Sequence, residues 1–116
     1  MNFIEPEFID INSKRTLTQL LTSDIKQVNV YHAFQGAILG GHYHKETVEH
    51  FYITKGSFKV SIQKDNQVSQ FPVNKGMAFT VFPYERHTLV VLSQSASMLT
   101  FLSKPYNKDN PDIWKN

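Results

Sequence analysis

Short segments of alternating apolar and polar residues, separated by turn-forming residues, run along most of the chain. Residues 57–63 are the clearest case, because Phe58, Val60 and Ile62 occupy one face of an extended segment and polar residues occupy the other. The same alternation, or a short apolar run between turn residues, predicts further strands at 26–34, 48–54, 68–73, 77–82, 87–92 and 98–103, with turns at 64–67 and 74–76 and a break at 93–97. Strands about every 8–12 residues with short polar turns predict an antiparallel sandwich or barrel.

The two ends and one ambiguous segment complete the outline of a single domain, residues 1–116. Residues 13–25 could form a helix, but their threonines favour a strand. The first residues, about 1–14, are expected to form an arm, and the polar tail, about 104–116, is expected to lie extended across the outside. No internal repeat or linker divides the chain.

Composition and charge exclude several classes of function. The formal net charge is +2, and the basic residues are scattered without a run of like charges, so the chain lacks the electrostatic footprint of a nucleic-acid-binding protein. It has no cysteine, which fits a reducing compartment and restricts any metal to His, Asp, Glu or main-chain oxygen ligands. No signal peptide and no apolar run of about 20 residues is present. We therefore expect a cytoplasmic protein that binds neither nucleic acid nor a membrane.

A cluster of histidines and carboxylates stands out between residues 42 and 50. In a strand His42 and His44 point to the same face, side by side, which suits two ligands of one metal ion. Glu49 follows five residues after His44, so a turn must bring it back on a neighbouring strand. His87, just after a proline turn, is the expected fourth ligand. Three imidazoles and one carboxylate suit a divalent transition metal such as Zn, Fe, Mn or Ni.

The spacing of these residues resembles the two sequence motifs of the cupin family. The first motif is complete, with Gly36, His42, His44, Glu49 and Gly56 at all the expected intervals. The second motif is matched by Gly76, Pro83 and His87. It departs from the family pattern at two positions, where Tyr84 replaces a turn glycine and Val91 replaces an asparagine. A tyrosine at that turn adopts the glycine conformation only with strain.

Within the cupins, residues from about 15 to the end resemble proteins that act on nucleotide-sugars. The stretches "IKQVNVYHAFQGAILGGHYHKETVEHFYITKG" and "FLSKPYNKDNPDIW" look like the carboxy-terminal cupin domain of bifunctional capsular-polysaccharide reductases, and then like small ketoisomerase cupins. The resemblance implies an all-β fold, a single cupin-type double-stranded β-helix or jelly-roll barrel. It also implies a metal on His42, His44, Glu49 and His87 and a keto nucleotide-sugar substrate in surface-polysaccharide biosynthesis. Leu39 departs from the family, which usually has an arginine there.

Proton transfer in such a reaction would need further side chains. Tyr84 is a candidate catalytic residue because it lies at the mouth of the second motif. His32 is a second candidate if the face of residues 26–34 that carries it lines the barrel. Tyr31, Tyr43, Tyr52 and Lys59 are further candidates. His50 is expected to point away from the site and to be structural. Five of the phenylalanines are expected to pack the barrel interior, namely Phe51, Phe58, Phe79, Phe82 and Phe101.

Two other functions and an oligomeric state also follow from the sequence. The same ligands around iron would suit a metal-dependent oxygenase, and the incomplete second motif would suit a module that only binds a sugar or other small molecule. Residues 87–92 are apolar on both faces and therefore need cover on both, which favours a homodimer.

Overall fold

The computed structural model describes all 116 residues, which form eleven β-strands and no helix. No helix of the chain is therefore long and apolar enough to cross a membrane. The strands are β1 (Asn2–Phe3), β2 (Phe8–Ile11), β3 (Thr16–Gln19), β4 (Gln27–Phe34), β5 (Ile38–His42), β6 (Glu49–Lys55), β7 (Ser57–Lys64), β8 (Gln67–Asn74), β9 (Ala78–Val81), β10 (Arg86–Val91) and β11 (Ser95–Leu102).

Two antiparallel sheets face each other across one apolar core. One sheet has five strands in the order β1-β9-β6-β11-β4, and the other has four in the order β5-β10-β7-β8. The sheets are separate, so they form an open jelly-roll sandwich of the cupin type rather than a closed barrel. Strands β2 and β3 pair only with each other as a third, two-stranded sheet.

The core consists of the inward-facing residues of both sheets. Phe51 and Phe79 stack with ring centroids 4.6 Å apart, and Phe58 is fully buried opposite them. These three phenylalanines therefore pack the interior as predicted. Phe82 is 37% exposed, and Phe101 pairs with His50 on the outer face of the five-stranded sheet, so the prediction is wrong for these two. The sequence pattern did not show that β11 is half-buried on its outer face.

The predicted strands coincide with β4 and β6 to β11, with two corrections. The predicted break at 93–97 is only Ser93 and Gln94, because Ser95 already belongs to β11. Within 13–25 only Thr16–Gln19 is a strand, paired with β2 in the region expected to be an arm. The tail turns at 108–110, and Trp114 forms an isolated bridge to Tyr43.

A bulge in β5 sets the direction of the first histidine. His42 pairs with His87 of β10, while Gly40 pairs with Thr88, so Gly41 is an extra residue in β5. Leu39 and His42 consequently both face inward, although they are three residues apart. Gly40 and Gly41 have φ angles of +81° and +76°, which a glycine adopts without strain.

Gly40 is expected to be indispensable because its backbone touches the strand that carries His87. A Cβ at Gly40 would lie 2.6 Å from the His87 carbonyl oxygen, whereas a Cβ at Gly36, with a similar φ of +85°, would meet nothing. Both Gly→Ala variants incur the left-handed backbone cost of about 1–2 kcal/mol. Gly40→Ala should lower the free energy of unfolding by roughly a further 1–3 kcal/mol, measured by urea denaturation. Equal losses in the two variants would show that this close approach is unimportant.

Candidate metal centre

Four side chains from three strands and one turn converge between the two sheets. His42 ends β5, His44 follows it, Glu49 begins β6 and His87 lies in β10. One potential ligand atom of each residue lies within 4.8 Å of those of the others. His44, Glu49 and His87 are buried, and His42 is partly exposed. The structure thus brings together the four residues that were predicted as metal ligands, and it leaves one of them open to an approaching molecule.

The carboxylate of Glu49 lies between two imidazoles. Its Oε1 is 3.1 Å from Nε2 of His44 and 3.5 Å from Nε2 of His87. The ring of His42 meets that of His87 edge to face, with centroids 4.7 Å apart. The two rings meet because His42 and His87 are paired in the β5–β10 register. The turn at 45–48 then returns the chain to the other sheet, where Glu49 and Phe51 face inward.

Main-chain carbonyls determine which ring nitrogens face the carboxylate as acceptors. Nδ1 of His44 lies 2.6 Å from the Asp112 oxygen, and Nδ1 of His87 lies 3.1 Å from the Glu85 oxygen. A carbonyl oxygen only accepts, so Nδ1 carries the hydrogen in each neutral ring. The Nε2 lone pairs of both rings then face the Glu49 carboxylate, acceptor against acceptor. A cation between them, either a proton or a metal ion, removes that repulsion, and the donor set therefore fits a divalent transition metal.

The pKa values reflect the same crowding. Burial alone would raise the pKa of Glu49, but hydrogen bonds from His44 and His87 outweigh burial and lower it to about 2. Burial would lower the pKa of His44, yet the hydrogen bonds with Glu49 and the Asp112 carbonyl raise it. Burial, followed by the neighbouring His87 and His44, lowers the pKa of His42 to about 4. Without a metal, these shifts favour the protonated form of His44 and the neutral form of His42.

The turn that joins His44 to Glu49 is held by Asp112 from the tail, a residue that the sequence interpretation missed. Its carboxylate accepts hydrogen bonds from the main-chain nitrogens of Lys45, Glu46 and Thr47, each at 2.9 Å, and from Oγ1 of Thr47 at 2.9 Å. Burial alone would raise the pKa of Asp112, but these hydrogen bonds hold it well below its usual range. The resemblance in the tail was the one available signal, and it gave no role for this residue.

Tyr84 lies in the turn between β9 and β10, next to the cluster, but its side chain points away from the four candidate ligands. Its main-chain nitrogen donates to the His44 oxygen at 2.7 Å, and its φ of +68° is the left-handed conformation expected of the glycine it replaces. Its ring stacks on Tyr43 at 6.1 Å, and Tyr43 points opposite to His42 and His44. The side chain is 57% exposed on the outer face. The structure therefore does not bring the Tyr84 hydroxyl together with the four ligands.

His32 lies on the outer face of the five-stranded sheet, away from the cluster. Val28 and Val30, which share its face, are 52% and 77% exposed, and Nδ1 of His32 lies 2.6 Å from Oγ of Ser97. The condition under which His32 was a candidate, that this face lines the barrel, is not met. The alternation in β4 was predicted correctly, but its apolar side faces outward.

The inward face of β4 presents Tyr31 instead. Tyr31 and Leu39 are partly buried against the core, on opposite sheets. Burial, and then the negative charge of Glu49, raise the pKa of the Tyr31 phenol. His50 points away from the cluster as predicted, with Nδ1 2.8 Å from Oγ1 of Thr80. Burial lowers its pKa.

Stability of the metal-free protein should depend on pH through Glu49 and His44. Glu49 stabilises the fold above its ordinary pKa of 4.5, and this is lost as pH falls towards 2. His44 stabilises it below 6.5, and this is lost as pH rises through its raised pKa. Glu49→Gln should therefore lower the free energy of unfolding most between about pH 4.5 and 6.5, by on the order of 2 kcal/mol, and less at pH 8.5.

This pH dependence is measured by urea unfolding in a chelator at several pH values. Glu46→Gln is the matched control, since its exposed carboxylate pairs only with Lys104 at the surface, and it should cost little at any pH. A loss for Glu49→Gln that is the same at pH 5.5 and 8.5 would contradict the assignment of the proton to this pair.

Comparison with protein families identifies one that covers most of the chain. The family named FdtA and described as WxcM-like, C-terminal, matches residues 10–112. No curated protein matches the chain.

Solved structures share the fold at low sequence identity. QdtA, a sugar 3,4-ketoisomerase from Thermoanaerobacterium thermosaccharolyticum in complex with TDP, is 17% identical with a TM-score of 0.82, over 98% of this chain and 86% of that one. WlaRA, a TDP-fucose-3,4-ketoisomerase from Campylobacter jejuni, is 14% identical with a TM-score of 0.82, over 100% and 90%. The capsular polysaccharide assembling protein CapF from Staphylococcus aureus is 18% identical with a TM-score of 0.74, over 92% and 33%. This chain thus spans about a third of the length of CapF.

Proposed function

The chain belongs to the FdtA family, described as WxcM-like, C-terminal, and we propose that it is a metal-binding cupin that epimerises or isomerises a keto nucleotide-sugar in surface-polysaccharide biosynthesis. The observation that carries the proposal is the buried set of three imidazoles and one carboxylate within 4.8 Å. The proposal is further supported by the ketoisomerase activity named for QdtA and WlaRA, which share the fold. The cytoplasmic location expected from the composition is part of it.

His42, His44, Glu49 and His87 would hold the ion, and the exposed side of His42 is where a substrate would approach. A bound divalent ion supplies a Lewis acid that polarises a keto oxygen and makes the neighbouring carbon acidic. Epimerisation or ketoisomerisation then requires a proton to leave one carbon and return to the same or an adjacent position.

We assign Tyr31 to proton transfer within this proposal. Its phenol is protonated at neutral pH, and burial and Glu49 raise its pKa further, so its oxygen can donate a hydrogen bond or a proton inside the sandwich. Tyr84 and His32, the candidates from the sequence, have their side chains on outer faces. Tyr31 instead lies on the inner face of β4, where the charge of Glu49 reaches it.

Elemental analysis and solvent-deuterium exchange test the function. The purified protein should contain about one divalent metal per chain, and His42→Ala/His44→Ala should contain none. The metal-loaded protein should exchange deuterium into TDP-4-keto-6-deoxyglucose, and Tyr31→Phe should reduce that exchange roughly 10²–10⁴-fold while keeping the metal. Tyr106→Phe, an exposed tyrosine in the tail, is the control.

Other results would redirect the assignment. A fully metallated protein that exchanges no deuterium into any 4-keto sugar nucleotide would refute the isomerase proposal. Oxygen uptake that requires iron would favour the oxygenase alternative. Tight sugar binding that survives loss of both histidines would favour a binding module.

The proposed homodimer would use the outer face of β4 more than that of β10. In β10, Val90 is half-buried within the chain. Val30 and Phe34 of β4 are 77% and 67% exposed. Phe8 and Ile11 of the β2–β3 hairpin, which pairs with neither large sheet, are 52% and 72% exposed. A second copy could cover both surfaces reciprocally, as a two-fold interface requires.

Val30→Asp should make the protein monomeric at concentrations where the wild type is a dimer. Burying an unpaired carboxylate in the interface should weaken association roughly 100-fold or more. Val68→Asp is the matched control, because Val68 is 59% exposed on the edge strand of the other sheet. Light scattering coupled to size exclusion measures the mass. A Val30→Asp protein that remains dimeric would exclude this face.

A further inference from the structure

The last five residues run beside the segment that carries two of the candidate ligands. Main-chain atoms of Trp114 pair with those of Tyr43 in both directions, at 2.9 and 3.0 Å. The Tyr43 hydroxyl donates to the Asn116 oxygen, and the Arg86 guanidinium donates to the Lys115 oxygen. The tail therefore adds a short antiparallel partner to the chain just beyond the end of β5.

Asp112 contacts the site in two separate ways. Its carbonyl oxygen accepts from Nδ1 of His44 at 2.6 Å, which fixes the tautomer and directs Nε2 towards Glu49. Its carboxylate receives the hydrogen bonds of the turn at 45–47 described above. One residue of the tail thus orients a ligand ring and holds the turn that separates His44 from Glu49.

We propose that residues 112–116 are part of the metal site, with Asp112 as a positioning residue, and that metal binding and tail docking stabilise each other. This rests on the proposed metal binding. Without the docked tail, Nδ1 of His44 loses its acceptor and the turn loses four hydrogen bonds to a carboxylate. Partners of this kind around a ligating histidine typically change metal affinity 10–100-fold. Because such coupling is reciprocal, a bound metal must also favour the docked tail.

The chain carries its own reporter of tail docking. Trp114 is the single tryptophan, and it is 42% exposed. Its Nε1 donates to Oδ1 of Asp112 at 3.1 Å, and the ammonium of Lys45 lies 3.7 Å from the centre of its ring. Undocking would remove the contact with Lys45, which lies outside the tail, so the emission of Trp114 reports on whether the tail is docked.

The test is a Zn²⁺ titration of the full chain against a competing chelator, with Trp114 emission recorded in parallel. Asp112→Asn should weaken Zn²⁺ binding roughly 10–100-fold. Asp109→Asn, the same change at an exposed tail residue whose main-chain nitrogen donates to Asn107, should bind like the wild type. Zn²⁺ should shift the Trp114 emission of the wild type. Because Asp112→Asn keeps the main-chain carbonyl, the Nδ1 hydrogen bond of His44 is lost only if the tail undocks. In the metal-free protein, ¹⁵N NMR of the His44 ring should show that loss as a shifted Nδ1 resonance.

Thr47→Val provides a milder variant should Asp112→Asn fail to fold. It removes only the hydroxyl bond to Asp112 and should weaken Zn²⁺ binding a few-fold. A folded Asp112→Asn protein with wild-type Zn²⁺ affinity, or a Thr47→Val protein with wild-type affinity where Asp112→Asn does not fold, would overturn the inference and leave the proposed function intact. A wild type that binds none of Zn²⁺, Fe²⁺, Mn²⁺ and Ni²⁺ would overturn both.

Discussion

The site is organised by one electrostatic conflict, the meeting of the Glu49 carboxylate with the Nε2 atoms of His44 and His87. Two main-chain carbonyls occupy the Nδ1 atoms of these rings, so neither ring can turn its hydrogen towards the carboxylate without losing a buried hydrogen bond. A cation in the cluster therefore removes a repulsion that the neutral rings leave in place. A proton on Nε2 of His44 removes part of the repulsion. A divalent ion would accept a lone pair from each of the four residues. Binding of such an ion must release that proton, since both occupy the same lone pair.

The two sheets matter to this conflict because they hold its members on different strands. The bulge at Gly41 turns His42 inward, the close approach of Gly40 to His87 draws β5 against β10, and the turn at 45–48 carries Glu49 to the opposite sheet. Gly40 and Gly41 are thus geometric requirements of the site. Tyr84 bears the strain of the one glycine that is missing, since it keeps the left-handed conformation and the hydrogen bond to His44.

Much of this arrangement could be predicted from local pattern, and the exceptions have physical reasons. Alternation located most strands, and the spacing of His42, His44 and Glu49 with His87 identified the cluster. Alternation does not say which face is inside, so His32 was a candidate although the apolar side of β4 faces outward. The side chain of a turn residue can point to either side of a sheet, so the sequence did not predict that the ring of Tyr84 points outward. Asp112 lies far along the chain from the turn it holds, and no periodic pattern reports such a contact.

The distribution of the site along the chain would tie the proposed metal binding to the stability of the whole fold. The site needs β5, β6 and β10 in register and the tail docked on the turn, so an unfolded chain offers no comparable set of ligands. A ligand that binds only the folded state stabilises it by about 2.7 kcal/mol at a free concentration of 100 times Kd. This is a large share of the 5–15 kcal/mol that holds an ordinary domain together. Because an unfolded chain lacks this arrangement, the proposed metal ion would stabilise the fold in proportion to its affinity for the cluster.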